Sequence, residues 1–362
     1  MSGANAGHPI SGLSVPALIK KSFQRLSAAW LMLVFIVIFS ITAPHVFPTA
    51  TTFKLVLSGQ TTVGMLALAV LIPISAGAFD LSIGTSLAFA AVIFSALMKA
   101  GMPFVVAVIC GVAGCALVGC LNGFLVVRLH INSFIATLGV SELLSAGMLR
   151  VSSNQQITGV FPTWFQTVTQ GTAFGINYDV YILLGVALTV WYVFEHTAVG
   201  RALFATGGNL EAARLAGVRT DAAIWGSLVA SSIISGIAGI LLISQNLLFT
   251  PDLGPSYLFP AFAAVFFGAT QIKRRANVWG TLLALYALAV GVSGVQLTFF
   301  GNDYWITPLF NGVALLIAVA LASREMSRRR AGRGARGILS RLNREDKVTA
   351  DVLPVPEGAP GM

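Results

Sequence analysis

Apolar runs recur along this chain at the length that a helix needs to cross a lipid bilayer. A bilayer core takes about 20 apolar residues per helix, and runs of about this length follow one another from Ala28 to Ala322. Only 10% of the residues are charged, against roughly 25% in a soluble domain. Because backbone groups in lipid must be satisfied within their own segment, these runs predict helices. The expected fold class is all-α, a polytopic integral membrane protein.

We predict about ten transmembrane helices, some of them short or broken, and the second, third and eighth are among the short ones. The predicted spans are Ala28–Val46, Thr61–Gly77, Ile83–Met98, Pro103–Val127, Ser133–Leu149, Val180–Phe194, Ala222–Leu247, Tyr257–Ala269, Val278–Thr298 and Tyr304–Ala322. This divides the chain into an N-terminal segment at 1–27, a transmembrane domain at 28–322 and a basic tail at 323–362. The tail is Arg-rich and then Pro/Gly-rich, a composition that favours disorder.

The distribution of Lys and Arg gives the orientation. Cytoplasmic loops carry an excess of these residues. With ten spans and a cytoplasmic N-terminus, only Lys54, Lys99 and Arg150 fall at or near the outside. The long loop Val151–Asp179, which contains neither Lys nor Arg, is also outside. Both termini are therefore predicted to be cytoplasmic, in a multi-pass membrane protein.

Charge and cysteine usage exclude several classes of function. The net charge is +9, but no basic face is interleaved with aromatic residues, so nucleic-acid binding is not expected. Cys110, Cys115 and Cys120 are spaced by five residues, which places successive sulfurs about 140° apart on a helix and prevents pairing. With no Cys-x-x-Cys and no His cluster, they are interpreted as small packing residues. No catalytic or metal site is predicted.

Small residues at steps of four predict close helix packing. One such ridge is Gly111, Cys115, Gly119 and Gly123, and shorter ones are Ser232–Gly236 and Ser235–Gly239. Small side chains let helices approach closely in lipid. The pattern does not distinguish a channel from a transporter.

Several polar residues fall among the apolar runs. Asp80 and Ser82 suggest the start of a helix, with Asp80 accepting backbone N–H bonds. They also fit a break between helices that lines a transport pathway, and the two interpretations are compatible. Glu142, with no basic residue nearby in sequence, is expected to pair with a polar group of another helix. Candidates for the pathway or the helix break are Asp80, Ser82, Asn122, Thr137, Glu142, Gln245 and Asn246. For Gln245 and Asn246, a capping role at the interface fits equally.

The polar loop Thr197–Asp221 is the most informative segment. Gly207-Gly208 interrupts the chain, and Asn209 can cap a short helix over Leu210–Ala216, which is ended by Gly217. The apolar face of such a helix could enter a groove on a partner. An incidental surface helix fits the pattern as well.

At this point the chain resembles the permease subunits of bacterial sugar ABC transporters, the ribose/arabinose/xylose type. Four segments carry the resemblance: Gly200–Gly217, Gly77–Gly84 (GAFDLSIG), Leu121–Gly123 with Phe134–Gly139 (FIATLG), and Ala263–Gly268 (AAVFFG). Where the family has a glycine-rich turn, this chain has the basic sequence Gly268–Asn277. That departure predicts a stiffer turn and an altered ATPase contact.

The resemblance implies an ABC importer subunit that moves a monosaccharide or related polar solute without being an enzyme itself. Its partners would be a cytoplasmic ABC ATPase subunit that binds ATP and Mg, a periplasmic substrate-binding protein, and a second permease copy or a paralogue. This chain would bind no cofactor, and it contains no P-loop motif. The implied ATPase-coupling residues are Gly200, Arg201, Gly207, Gly208, Asn209, Glu211, Ala212, Ala213, Arg214 and Gly217.

Two alternatives stay open at the level of sequence. One is an ABC permease for branched-chain amino acids or nucleosides, which shares the same general pattern. The other belongs to a different class, an ion-coupled secondary transporter that uses Asp80 or Glu142 as its coupling carboxylate.

Overall fold

The computed structural model describes residues 27–271, 275–300, 305–313, 315–317 and 320. The helices are α1 (Ser27–Thr42), α2 (Ala50–Gly59), α3 (Thr61–Ser75), α4 (Ile83–Lys99), α5 (Phe104–Gly123), α6 (Ser133–Ser152), α7 (Thr167–Gln170), α8 (Tyr178–His196), α9 (Ala198–Gly208), α10 (Leu210–Leu215), α11 (Thr220–Asn246), α12 (Pro255–Ala269) and α13 (Val278–Val295). Turns of π-helix, Phe124–Arg128 and Gln296–Phe300, extend α5 and α13. A two-residue hairpin pairs β1 (Thr172–Ala173) with β2 (Ile176–Asn177). The all-α prediction is confirmed.

The predicted number of spans also agrees with the structure. Within the described residues, six helical lengths are long and apolar enough to cross a membrane: Ala50–Ser75, Phe104–Arg128, Ser133–Ser152, Tyr178–His196, Thr220–Asn246 and Val278–Thr298. Shorter apolar helices are α1, α4, α12 and a segment that begins at Ile306. Sequence reasoning missed α2, which precedes α3 and turns the second span into a long one.

Helix α3 forms the centre of the bundle. Every residue from Thr61 to Ser75 is buried except Ile74. A helix that is apolar on all sides must be surrounded by other helices, and α3 packs against α8, α11, α12 and α13. By contrast, α1, α5, α6 and α8 expose large apolar side chains on their outer faces, as helices in contact with lipid do.

The ridge of small residues on α5 packs closely against another helix, as predicted, and that helix is α11. Gly119 lies against Val229, Gly123 against Trp225, and Cys115 against Gly236. The predicted packing role holds for Cys115, which is buried and donates to the Ser86 carbonyl at 3.1 Å. It is wrong for Cys110 and Cys120, which are exposed because they project from the opposite face of α5. All three are free cysteines.

The two short helices α4 and α12 begin inside the bundle, with their N-terminal ends in contact. A Cβ atom on Gly84 would lie 2.5 Å from the Gly254 carbonyl oxygen, and one on Gly254 would lie 2.6 Å from that of Gly84. Side chains at either position would therefore separate the two helix ends. At 1.5 Å per residue, α12 is about 22 Å long, shorter than the roughly 30 Å of a bilayer core.

The bundle has two distinct ends. The loop end carries Thr197–Asp221, and the far end carries residues 153–177. At the far end the segment folds over the helices, where Phe165 is buried with Phe94 and Phe104, and Ile157 forms a β-bridge with Phe249. Several predicted segments lie outside the described residues: the segment at 1–26, Lys273 and Arg274, parts of the last predicted span, and the tail at 323–362.

Candidate functional site

The polar loop at the loop end contains two helices, α9 and α10, joined at Asn209. Asn209 is extended (φ −163°, ψ 107°), and its side-chain oxygen accepts from the Ala212 N–H at 3.0 Å, which caps α10. Gly217 lies just beyond the helix with φ +79°, a left-handed conformation that favours glycine. The predicted cap, short helix and terminating glycine are confirmed. Sequence reasoning missed α9, although Thr197 caps it by accepting from the Gly200 N–H at 3.3 Å.

Helix α9 packs against the bundle. Leu203 and Thr206 are buried on its inner face. Gly200 lies against the carbonyl oxygens of Val193 and Phe194, with no room for a side chain. The outer face of α9 exposes Arg201, which lines a cleft of about 660 Å³ together with Arg219 at the start of α11.

The two glycines at the end of α9 have different surroundings. A Cβ on Gly207 would overlap the Ser75 carbonyl oxygen and lie 3.0 Å from the Gly77 nitrogen. A Cβ on Gly208 would meet nothing within 4 Å. Gly207 therefore touches the chain where α3 ends, whereas Gly208 is open.

Helix α10 presents most of its surface outward. Ala213 is its buried residue at 5% exposure, while Leu215 is 90% exposed and Leu210 is also exposed. Glu211 and Ala212 are exposed as well. Leu215 makes almost no contact within the chain, so its side chain is free to contact a partner.

Arg214 joins α10 to the first turn of α11. Its Nη2 atom lies 2.7 Å from Asp221 Oδ1, and its Nε donates to Thr220 Oγ1 at 3.0 Å. The hydrogen bond that Arg214 donates to Asp221 raises the pKa of the Arg214 guanidinium, and the attraction between the two charges raises it further. Since both side chains are about half exposed, the pair orients α10 more than it stabilises the fold.

Arg275, which follows α12, contacts α8 and α9. Arg275 Nη2 donates to both carboxylate oxygens of Glu195, at 2.8 and 3.0 Å, and its guanidinium lies 4.3 Å from the centre of the Phe204 ring. Buried Gln271 accepts from the Ala28 N–H at 3.0 Å, which ties the turn to α1. Sequence reasoning missed Glu195, Phe204 and Gln271, because each acts through a residue distant in sequence.

A buried polar cluster fills the break between α3 and α4. Asp80 Oδ1 accepts from the Ser82 N–H at 3.0 Å and from its hydroxyl at 2.6 Å, while Asn122 Nδ2 donates to the Ser82 hydroxyl at 2.8 Å. Thr137 accepts from the Leu81 N–H at 3.0 Å. Asp80, Ser82, Asn122 and Thr137 are all fully buried. The structure thus brings together four of the seven candidates predicted from sequence.

Some polar atoms of this cluster lack a partner. Within the described part of the chain, Asp80 Oδ2, Asn122 Oδ1 and Ser231 Oγ make no hydrogen bond of good geometry, although Ser231 lies beside the Asp80 carboxyl. Unpaired buried polar atoms are costly. The prediction that Asp80 accepts N–H bonds from the helix that follows is wrong: Asp80 accepts the N–H of Ser82, the residue before α4, and no side chain caps α4.

The remaining candidates lie elsewhere. Gln245 is half-buried, and its side chain donates to Asp179 Oδ2 at 3.1 Å. Its backbone carbonyl accepts from Gln170 Nε2 at 3.1 Å. These two bonds connect the far end of α11 to α8 and α7. Asn246 is exposed at the end of α11. Glu142 is exposed on α6, and among the described residues it makes no hydrogen bond or ion pair. The expectation that Glu142 pairs with another helix is wrong for the part of the chain that the structure describes, because the side chain is exposed to the outside of the bundle.

Metal ligands do not cluster in the part of the chain that the structure describes. Those ranges contain no group of three or more His, Cys, Asp or Glu side chains that could hold a metal ion.

Comparisons with known proteins show that the chain is related to permeases. The family model "Branched-chain amino acid transport system / permease component" matches residues 53–320. The chain is 31% identical over 285 residues to the fructose import permease protein FrcC of Rhizobium meliloti, covering 76% of this chain and 78% of that protein.

More distant relatives are of the same kind. The autoinducer 2 import system permease protein LsrD of Yersinia pseudotuberculosis is 28% identical over 263 residues, covering 71% of this chain and 78% of its own length. LsrD of Salmonella paratyphi B is 28% identical over 264 residues, covering 71% and 79%. No solved structure matches the chain. The chain belongs to the family of permease components typified by the branched-chain amino acid transport system.

Proposed function

We propose that this multi-pass permease is the membrane-spanning subunit of an ABC importer for a monosaccharide or related polar solute, powered by a separate ATPase. The observation that carries the proposal is α10, a capped helix on the polar loop that exposes Leu210 and Leu215. The names of its relatives, a fructose import permease and autoinducer 2 import permeases, support the solute class.

The orientation follows from the basic residues. Lys54, Lys99 and Arg150 lie towards the far end of the bundle. The loop end carries Arg128, Arg201, Arg214, Arg219 and Arg275. By the positive-inside rule the loop end faces the cytoplasm of a bacterial inner membrane, with both termini on that side. The segment at 153–177 then faces the periplasm, where a substrate-binding protein would deliver the solute.

The ATPase would grip α10 and the exposed residues beside it. The coupling set is the one that the resemblance implies: Gly200, Arg201, Gly207, Gly208, Asn209, Glu211, Ala212, Ala213, Arg214 and Gly217. Nucleotide and Mg would bind to the ATPase, and this chain would perform no chemistry. A second permease copy or a paralogue would complete the pathway.

The contacts of α9 suggest how ATPase motion reaches the membrane. Gly207 touches the backbone at Ser75 and Gly77, where α3 ends and the chain enters the buried break around Asp80. A displacement of α10 would pass through α9 to this break. The polar atoms left unpaired there would re-pair in a second arrangement of the helices, as an alternating-access cycle requires.

Replacing Gly208 tests the docking surface. The Cβ position of Gly208 is open, so Gly208→Trp leaves the fold intact and places a bulky group where the ATPase would sit. We expect Gly208→Trp to abolish solute uptake and ATPase co-purification without lowering Tm. Gly185→Trp is the matched control, since Gly185 on α8 is equally open but lies within the membrane span. Normal uptake and co-purification with Gly208→Trp would refute the assignment of α10.

A further inference from the structure

A groove runs between α8 and α11 from the loop end towards the middle of the bundle. Both helices pack against α3 but hardly against each other. The space between them is an apolar cavity of about 280 Å³. It is lined by Ile72 of α3, by Val190 and Val193 of α8, and by Ala230 and Ile234 of α11. The bundle therefore leaves an opening at membrane depth that its own side chains do not fill.

The wall of the groove stays apolar because its hydroxyl groups are already paired. Thr189 and Ser227 line it, and each donates to a backbone carbonyl of its own helix, at 2.9 and 2.7 Å. From Ala222 to Ile234 the α11 wall is about 18 Å long. This length is close to one leaflet of a bilayer core, which is about 30 Å thick in all. The groove therefore suits a hydrocarbon chain in both chemistry and length.

The mouth of the groove at the loop end is basic. The apolar cavity shares Val199, Ala222 and Ala223 with the cleft of about 660 Å³ described above, so the two form one continuous space. Arg201 and Arg219 line that cleft, and both side chains are exposed. Within the described residues, neither guanidinium makes a hydrogen bond or an ion pair.

The carboxylates nearest to these arginines in the chain are occupied elsewhere. Asp221 binds Arg214 at 2.7 Å, and Glu211 is attracted to that same arginine. Glu195 binds Arg275 at 2.8 Å. Two positive charges thus stand unpaired, among the described residues, at the end of an apolar groove. In the orientation proposed above, they lie at the cytoplasmic surface, where the membrane carries anionic lipids.

We propose that this groove binds an anionic phospholipid of the cytoplasmic leaflet, with its phosphate at Arg201 and Arg219 and one acyl chain between α8 and α11. Arginine binds phosphate oxygens through paired N–H donors. An empty groove would forfeit the packing contacts that a lipid chain supplies. The ATPase, a soluble partner, could reach the arginines but not the depth of Ile234. The proposal goes beyond the proposed function and takes from it only the orientation.

Lipid titration followed by native mass spectrometry tests the proposal on the full-length permease in detergent micelles. Phosphatidylglycerol is compared with phosphatidylcholine that carries the same acyl chains, and glycerol phosphate serves as a headgroup without a chain. Each arginine at a membrane surface strengthens the binding of an anionic lipid by about fivefold. We therefore expect phosphatidylglycerol to bind about 25-fold more tightly than phosphatidylcholine, and glycerol phosphate not to bind at the same concentrations.

Two pairs of variants separate the basic mouth from the apolar groove. Arg219→Gln should weaken phosphatidylglycerol binding by about fivefold and leave phosphatidylcholine binding unchanged. Arg128→Gln is its control, because Arg128 lies at the same end of the bundle but lines a different cleft. Gly226→Leu adds a side chain to the groove where the Cβ position is open, and it should weaken both lipids by about tenfold at unchanged Tm. Gly147→Leu on α6, with equally open surroundings, should bind lipid as the native chain does.

Other outcomes overturn the proposal. Equal affinity for the two lipids would remove the anionic headgroup site, and glycerol phosphate bound as tightly as phosphatidylglycerol would remove the acyl-chain groove. A dimer that Gly226→Leu dissociates would show that a second copy fills the groove, and displacement of the lipid by added ATPase would assign the cleft to that partner. The titration requires no transport: if ATP-driven uptake is absent while lipid binding depends on Arg219, the proposed function fails and the lipid site stands.

Discussion

Leu215→Ala tests the contact between α10 and the ATPase without changing the stability of the permease itself. Leu215 is 90% exposed, so Leu215→Ala removes almost nothing that the chain itself buries, and Tm should not change. If a groove of the ATPase buries this side chain, the substitution removes about three CH₂-sized groups at about 0.8 kcal/mol each, or about 2.4 kcal/mol. Since about 1.4 kcal/mol is a factor of ten, the ATPase should bind roughly 50-fold more weakly.

The assay is the affinity of the purified ATPase for the permease held in nanodiscs, measured beside thermal unfolding of the same samples. Val160→Ala is the matched control, because Val160 is 84% exposed at the far end of the bundle. Its affinity for the ATPase should equal that of the native chain. If Leu215→Ala binds within about threefold of the native chain, Leu215 is not buried by the ATPase and the docking argument fails.

Two further pairs of substitutions test how the polar loop is attached to the bundle. Gly207→Ala should destabilise the permease by about 1–3 kcal/mol, because its Cβ would overlap the Ser75 carbonyl. Gly208→Ala, with open space around it, should keep or slightly raise Tm, and equal Tm values for the two variants would contradict the described contact. Arg275→Ala should lower stability by about 1 kcal/mol through loss of its bonds to Glu195 and its contact with Phe204. Arg275→Lys, which keeps the charge but not the paired bonds, should fall between Arg275→Ala and the native chain in thermal unfolding, and native-like behaviour of both would show that the turn is held by other contacts.

Features that depend on local chemistry could be predicted from the sequence. Spans follow from apolar length, because lipid allows few alternatives to a helix. The ridge Gly111–Gly123 predicts close packing, and the side chain of Asn209 predicts a helix cap. Each of these rests on residues within a few turns of one another.

Features that depend on contacts between distant segments could not be predicted from the sequence. Gly207 and Gly208 are adjacent and identical in sequence, yet only Gly207 is pressed against Ser75, more than a hundred residues earlier. Gln271 is tied to Ala28 by a bond across 243 positions. The sequence predicts that Glu142 pairs with another helix, but which face of α6 points outward is decided by the packing of its neighbours.

ATP dependence of uptake tests the central claim most directly. The permease is reconstituted in proteoliposomes with the ATPase and binding protein that co-purify with it, and uptake of radiolabelled fructose and other monosaccharides is followed. The proposed function predicts that uptake stops when the P-loop lysine of the ATPase is replaced, and continues when an ionophore collapses the proton gradient. Uptake that persists without ATP hydrolysis and disappears with the proton gradient would contradict it.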